Sequence, residues 1–407
     1  MTRRVVITGL GCVSSLGVGC AQFWCAMERG ASAIRPTRVA QGGLENTFPA
    51  APVGGYDALA HFTADELPLR DPFAQFAVVA AREAMADAGL SPFEGDPART
   101  AVILGTGGGG EHAREEAAVR LFGERKLRCH PMLVPKTNNQ ASVGFVSMEF
   151  GTTGPSFVVS TGCAAATHAV AQAFLVVRHG LADRAITGGS EAPVMLSVLQ
   201  AFDAARVVSH TTCRPFSRER DGMVIGEGGG VVVLETLETA RARGARIYAE
   251  LLGVGMSADA RSSVHPQEHG PALAIATALA DARLNIDEVD YINAHGTGTQ
   301  VNDRVESRAI AGVFGEHARG LSISSTKSMH GHTFGGAGGM ELVATVLAMH
   351  HGVVPPTANY LGPDEDCTLD YVPNEARRRR VSVALKESFA FGGLNAVLAL
   401  RRDVPLS

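Results

Sequence analysis

The chain has 407 residues, enough for two domains of ordinary size, and its 36 Lys and Arg against 41 Asp and Glu leave a net charge of −5. At 45% hydrophobic and 19% charged it can build a large core, which excludes a disordered chain, and its mild acidity excludes a protein that lives on nucleic acid. Forty-seven glycines without a period exclude a collagen-like or low-complexity chain, and seven cysteines, odd in number and without a CxxC pair, exclude a disulfide framework. A reducing, cytoplasmic compartment is expected.

In chain order, an apolar strand over 4–8 comes first and ends in a glycine turn. The basic start resembles a signal peptide, but Gly9, Gly11, Ser14 and Ser15 interrupt the apolar run and no small-x-small cleavage pattern follows. A helix over 72–88 carries Phe73, Phe76, Val79 and Ala80 on one broad face. A strand over 101–105 runs into Gly105-Thr106-Gly107-Gly108-Gly109-Gly110, a match to the dinucleotide pattern G-x-G-x-x-G. That pattern requires an acidic residue ending a second strand about 20 residues on. Glu124 has the offset, but the run before it reads as helix, so a dinucleotide-dependent oxidoreductase stands only as an alternative. No P-loop sequence is present.

Further strands are expected over 156–160, 184–187, 230–235, 247–254, 289–294, 321–325, 381–386 and 395–401. Helices are expected over 164–179, 270–282, 303–314 and 339–351. A surface loop is expected over 257–269. This alternation predicts helices covering parallel sheets, in two halves of similar content split near residue 250. No stretch reaches the roughly 18 apolar residues of a membrane span. The four arginines from Arg377 to Arg380 read as a solvated turn, with nothing aromatic among them. His and Cys pairs at 210/213, 265/269, 330/332 and 350/351 lack a second pair at zinc-site spacing, so no metal is expected.

One cysteine stands out. In Ser160-Thr161-Gly162-Cys163-Ala164-Ala165-Ala166 a strand ends, a glycine turns the chain and an alanine-rich helix begins at Cys163. A thiolate there feels the positive end of the helix dipole, so its pKa is expected to fall. Two histidines end strands in the same way: His295 in Asn293-Ala294-His295-Gly296-Thr297 and His332 in Lys327-Ser328-Met329-His330-Gly331-His332. Groups at the carboxyl ends of α/β strands converge on one site.

These motifs, with Val6-Ile7-Thr8-Gly9-Leu10-Gly11, Gly154-Pro155-Ser156, Arg214-Pro215-Phe216 and Phe389-Ala390-Phe391-Gly392-Gly393, run nearly end to end. Together they make the chain resemble an elongating β-ketoacyl-acyl-carrier-protein synthase of the thiolase-fold superfamily. The resemblance implies two similar α/β halves in a five-layered αβαβα core, residues 1–250 carrying the nucleophile and 251–407 both histidines. It implies a decarboxylative Claisen condensation. Cys163 would carry the acyl group, and His295 and His332 would stabilise the enolate of a malonyl thioester. Backbone N–H groups of Cys163 and of Phe391, in the gating loop, would form an oxyanion hole. Lys327 would orient the second histidine, with Glu306 as its partner. Thr297 and Thr299 would bind the phosphopantetheine arm, and Phe389 and Gly108 would line the substrate path.

The resemblance implies no cofactor of the enzyme's own, since substrates ride on acyl-carrier protein. The partner protomer would be identical or a chain-length-factor-like subunit. Thiolases use a late second cysteine, and Cys367 lies in no such motif. Ala390 stands where many relatives have Gly, Glu387 where an Asn is usual, and Gly108 where fatty-acid synthases carry a bulky aliphatic residue. A missing side chain at Gly108 would widen the acyl pocket and suit a polyketide or polyene pathway. The alternatives are a housekeeping fatty-acid synthase and a non-catalytic partner subunit.

Overall fold

The computed structural model describes residues 2–92 and 95–404. Its spine is one sheet whose main strands fall into two sets of five. The first is β1 (Val5–Ser14), β2 (Thr100–Gly105), β3 (Ser156–Val159), β4 (Arg184–Glu191) and β5 (Gly228–Thr236). The second is β6 (Ala249–Ala258), β7 (Tyr291–Asn293), β8 (Ser322–Ser324), β9 (Val383–Ala390) and β10 (Leu394–Arg401).

Across the sheet the order is β8-β7-β9-β10-β6-β1-β5-β4-β2-β3. The second set therefore repeats the first, each strand shifted by five. Strand directions repeat as well. β2 is parallel to β3 and β4, as β7 is to β8 and β9. β5 is antiparallel to β1 and β4, as β10 is to β6 and β9. β1 and β6 join the halves in antiparallel register.

Six helices follow the same repeat: α1 (Pro72–Asp87), α2 (Ala141–Phe150) and α3 (Ala165–Arg178), then α4 (His269–Ala282), α5 (Gln300–Phe314) and α6 (Ala337–His351). α1 packs on β1 and β5 with α2 beside it, and α4 packs on β6 and β10 with α5 beside it. α3 and α6 touch each other between the half-sheets, α3 against β2, β4 and β10, α6 against β4, β5 and β9. This is the five-layered, two-half thiolase-like arrangement. α6 is buried on every side from Ala337 to Met349 because it lies in the middle layer.

β1 continues to Ser14, past the glycines expected to end it. Its glycines serve close packing instead of a turn. A Cβ on Gly11 would lie 1.9 Å from the Ala80 carbonyl of α1, and one on Gly255 of β6 1.9 Å from the Ala274 carbonyl of α4. Helix and sheet approach equally closely in the two halves. The other numbered strands and helices, α2 apart, lie within a few residues of expectation, whereas helices over Cys20–Glu28 and Leu196–Ala204 were not expected. α2 and an antiparallel hairpin (Arg35–Gln41 with Leu44–Ala51) were not anticipated, the hairpin because it is largely exposed and has little apolar alternation. Among the described residues no helix is long and apolar enough to cross a membrane.

Candidate active site

Cys163 sits in a single tight turn, Gly162–Ala164, between β3 and α3. Gly162 has φ +57°, in the left-handed region that favours glycine, and this swings the chain from strand to helix. Cys163 is only 8% exposed. Burial pushes its thiol up to about 11, against the pull of the Lys327 charge and of the backbone N–H groups of Phe391 and Cys163. The expected fall in pKa is therefore overturned: desolvation of a buried thiolate outweighs the helix end. The two N–H groups that face the sulfur are those expected to form the oxyanion hole.

His295 leaves the end of β7 and His332 follows β8, so parallel neighbours deliver both rings to one place. Cys163 Sγ and one ring nitrogen of each histidine lie within 4.8 Å of one another. The rings stand edge to face, 82° apart, with centroids 5.4 Å apart. Among the described residues no other trio of His, Cys, Asp or Glu side chains comes together so closely.

The Glu306 carboxylate accepts the N–H of His295 at 2.6 Å and of Gly296 at 2.8 Å. Lys327 Nζ donates to the His295 carbonyl at 2.6 Å and lies 3.3 Å from its Nδ1. An ammonium on Nδ1 leaves the ring proton on Nε2. His332 is fixed through its backbone, whose N–H donates to Val224 O at 2.7 Å, and neither of its ring nitrogens has a protein partner. Burial, and then the charge of Lys327, hold both imidazoles well below the ordinary histidine value. Both are neutral and can donate a hydrogen bond.

Two expectations change here. Lys327 orients His295, not the second histidine, because its ammonium reaches the end of β7. Its carboxylate partner is Glu341 of α6, not Glu306, whose oxygens are taken by backbone N–H groups.

Two clefts meet at Cys163. One, about 420 Å³, runs past His295 and His332 to Thr297, Thr299, Asn302, Val264 and Phe389. The Thr297 and Thr299 hydroxyls lie 2.9 Å apart on its wall. The other, about 700 Å³, is lined by Gly107, Gly108, Glu111, Val198, Phe202 and Phe334. Phe391 borders both, and is 44% exposed.

Gly108 thus lines a cleft beside the nucleophile, but the space is not simply wider. A Cβ there would lie 2.8 Å from Glu111 Cγ and Oε1, so the Glu111 arm fills part of the missing volume. The glycine loop is not a phosphate cradle. Glu191 of β4 accepts the N–H groups of Gly107, Gly108 and Gly109 and the Thr106 hydroxyl, occupying the donors with the protein's own carboxylate. The arginine run is an ion-paired surface, with Arg377 on Asp370 and Arg380 on Asp403.

Sequence reasoning missed Phe334, which stacks on Phe202 at 4.5 Å, and the full enclosure of three ionisable residues, Glu341, Lys386 and Glu387. A signal existed. Each charge interrupts a run otherwise apolar enough to be core, and a charge there requires a partner.

The family described as Beta-ketoacyl synthase, N-terminal domain matches residues 2–240, and Beta-ketoacyl synthase, C-terminal domain matches residues 248–361. Nodulation protein E of Rhizobium sp. (strain N33) is 49% identical over 405 residues, covering 99% of this chain and 100% of the relative. 3-Oxoacyl-[acyl-carrier-protein] synthase 2 of Synechocystis sp. (strain ATCC 27184 / PCC 6803 / Kazusa) is 39% identical, covering 98% of each chain. The solved ishigamide ketosynthase/chain length factor superposes with a TM-score of 0.93 at 35% identity, over 99% of this chain and 100% of that one.

Proposed function

The chain belongs to the beta-ketoacyl synthase family, and from that premise we propose that it is an elongating ketosynthase that joins an acyl group on Cys163 to malonyl-acyl-carrier protein, giving a 3-oxoacyl-acyl-carrier protein. The observation that carries this reading is one thiol and two neutral imidazoles within 4.8 Å, where two clefts meet.

Each element has a task. The Cys163 sulfur attacks the acyl thioester, and the displaced pantetheine sulfur takes the thiol proton. Malonyl thioester then enters past Thr297 and Thr299. Its C–CO₂ bond breaks, CO₂ leaves, and the electron pair becomes an enolate whose oxygen receives hydrogen bonds from His295 and His332. The enolate carbon attacks the acyl-Cys163 carbonyl. The tetrahedral oxyanion meets the N–H groups of Cys163 and Phe391, and collapse expels the Cys163 thiolate. Lys327 and Glu306 hold His295 and touch no substrate. Phe389 walls the entry cleft, and Gly108 and Glu111 the acyl cleft. The nucleophile belongs to residues 1–250 and both histidines to 251–407. The chain acts in the cytoplasm, with acyl-carrier protein and a second ketosynthase-fold protomer, identical or chain-length-factor-like.

The pathway assigned is polyketide or polyene synthesis, with housekeeping fatty-acid elongation as the alternative. Gly108 supports the former by leaving the acyl cleft without a branched side chain. A non-catalytic partner subunit is disfavoured by the intact thiol and imidazoles. The test is turnover: mixed with acyl- and malonyl-acyl-carrier proteins, the enzyme should release CO₂ and extend the carrier-bound chain by two carbons. Absence of both would reject the reading.

A further inference from the structure

Strand β9 ends in the loop that contributes Phe391, and just before that loop it carries two adjacent buried ionisable residues, Lys386 and Glu387, each fully enclosed. Neighbouring residues on a strand point to opposite faces. Lys386 reaches the middle layer. Its Nζ lies 2.6 Å from Glu341 Oε2 on α6 and donates to Ser388 Oγ at 2.6 Å, and Ser388 Oγ lies 2.8 Å from Thr167 Oγ1 on the helix of the nucleophile. The other oxygen of Glu341 holds Lys327, which holds His295.

Glu387 reaches the opposite layer, where it faces Glu306 on α5. Both Glu387 oxygens are buried, and neither finds a hydrogen-bond donor, so nothing but Glu306 and its own proton is there to answer the carboxyl. Glu306 is the residue that clamps the His295 and Gly296 N–H groups, and Asn302 Nδ2 donates to it at 3.1 Å.

Two buried carboxyls in contact cannot both be ionised, because their repulsion adds to the desolvation of each. Charge counting gives the same result. Apart from Asp303, which Arg220 answers at 3.8 Å, the enclosed cluster holds two ammoniums, Lys327 and Lys386, and three carboxyls, Glu341, Glu306 and Glu387. It is neutral when the carboxyls keep one proton among them. Glu341 touches both lysines, and burial raises Glu306 and Glu387 while their mutual repulsion raises Glu387 further. The other charged groups facing the pair are Asp303 beside Glu306, which also favours the proton, and Lys327 and Lys386, which oppose it. His295, neutral, completes the surroundings.

We propose that Glu306 and Glu387 share one proton and that, with Lys386, this pair locks the strand bearing the Phe391 loop to the backbone of His295, making Lys386 and Glu387 positioning residues for the condensation. β9 is held from both faces, by Lys386 on Glu341 and by Glu387 on Glu306. Each contact ends, through Lys327 or directly, on His295. The oxyanion-hole loop and the enolate-stabilising histidine are thereby set in one register. The inference rests on the ketosynthase reading for its consequence, but not for the shared proton itself.

The test has two arms on the full-length protein. Infrared difference spectra between wild type and Glu387→Gln at pH 8 should show a deuterium-sensitive protonated-carboxyl band in wild type that the variant lacks. Absence of such a band overturns the shared proton, whatever the enzyme's activity. In the second arm, Glu387→Gln keeps a donor toward Glu306 and should decarboxylate malonyl-acyl-carrier protein within about threefold of wild type. Glu387→Met keeps the bulk and loses the donor, and should fall by about tenfold or more while still loading an acyl group on Cys163. Equal decarboxylation by wild type, Gln and Met variants overturns the positioning role. A wild-type enzyme that does not decarboxylate, yet shows the band, would reject the ketosynthase reading and leave the shared proton standing.

Discussion

Lys327 grips His295 twice, its ammonium 2.6 Å from the histidine's carbonyl oxygen and 3.3 Å from ring Nδ1. The first contact fixes where the backbone leaves β7. The second fixes which ring nitrogen carries the proton, so that Nε2–H is free for a substrate oxygen. Replacing Lys327 by Met should leave both undefined while removing one of the two cations on Glu341. Malonyl decarboxylation is expected to fall far more than acyl loading of Cys163, and equal losses in the two half-reactions would remove Lys327 from this role.

Enolate charge develops only in decarboxylation, so His295→Ala and His332→Ala should each lose about 2.7–4 kcal/mol of transition-state stabilisation there. Acyl transfer to Cys163 should change much less. Measuring the two half-reactions separately checks this, and a variant that decarboxylates at the wild-type rate takes its histidine out of the site.

Acid dependence follows from the same burial. The imidazoles act neutral, and their pKa values are held well below 6.5, first by desolvation and then by Lys327. A depressed histidine pKa preserves the neutral form to lower pH. Decarboxylation should therefore stay level from pH 8 down to about 6, with any acid limb lying lower. A half-maximal point at or above the ordinary histidine value would contradict this. The thiol behaves in the opposite sense: raised to about 11, it should react with iodoacetamide ever faster as pH rises through 9, without a plateau near neutrality.

The acyl cleft gives a steric prediction. Gly108 has no left-handed φ, unlike Gly109 at +71°, so a branched residue is compatible with its backbone. The obstacle is Glu111, which salt-bridges Arg114 at 2.6 Å and crosses the space where a Cβ would stand. Gly108→Ile should displace that arm and narrow the cleft, at about 1–3 kcal/mol of stability. Loading of long acyl chains should drop relative to short ones. An unchanged chain-length ratio in a folded variant would show that Gly108 does not face the acyl chain.

How much of this is visible in the sequence depends on the kind of signal. Cys163, His295 and His332 each end an apolar run at a glycine-containing turn, a local pattern, and the strands meet where α/β topology directs them. The repeat of five strands is not visible as repeated residues, because packing requires only the same element order and close-approach glycines such as Gly11 and Gly255 at matching places. The partners of the buried charges are invisible for another reason. Glu341 and Lys386 are 45 residues apart in the chain, and only the folded middle layer brings them together. The raised thiol is a property of enclosure, and no dipole argument at one helix end registers it.

Association also leaves a mark. β3 is an outer strand of the sheet, with Phe157 41% exposed on it and Met148 of α2 65% exposed nearby. An exposed apolar strand edge invites pairing with another chain. Phe157→Asp should shift the protein toward monomer in sedimentation at micromolar concentration. A wild-type protein that is already a stable, active monomer would contradict this.

The central claim is that Cys163 carries the acyl group. Intact-protein mass spectrometry after incubation with an acyl-acyl-carrier protein tests it most directly. The wild-type chain should gain the mass of one acyl group, and Cys163→Ala, folded and otherwise identical, should gain none. Stoichiometric acylation of the alanine variant would contradict the account.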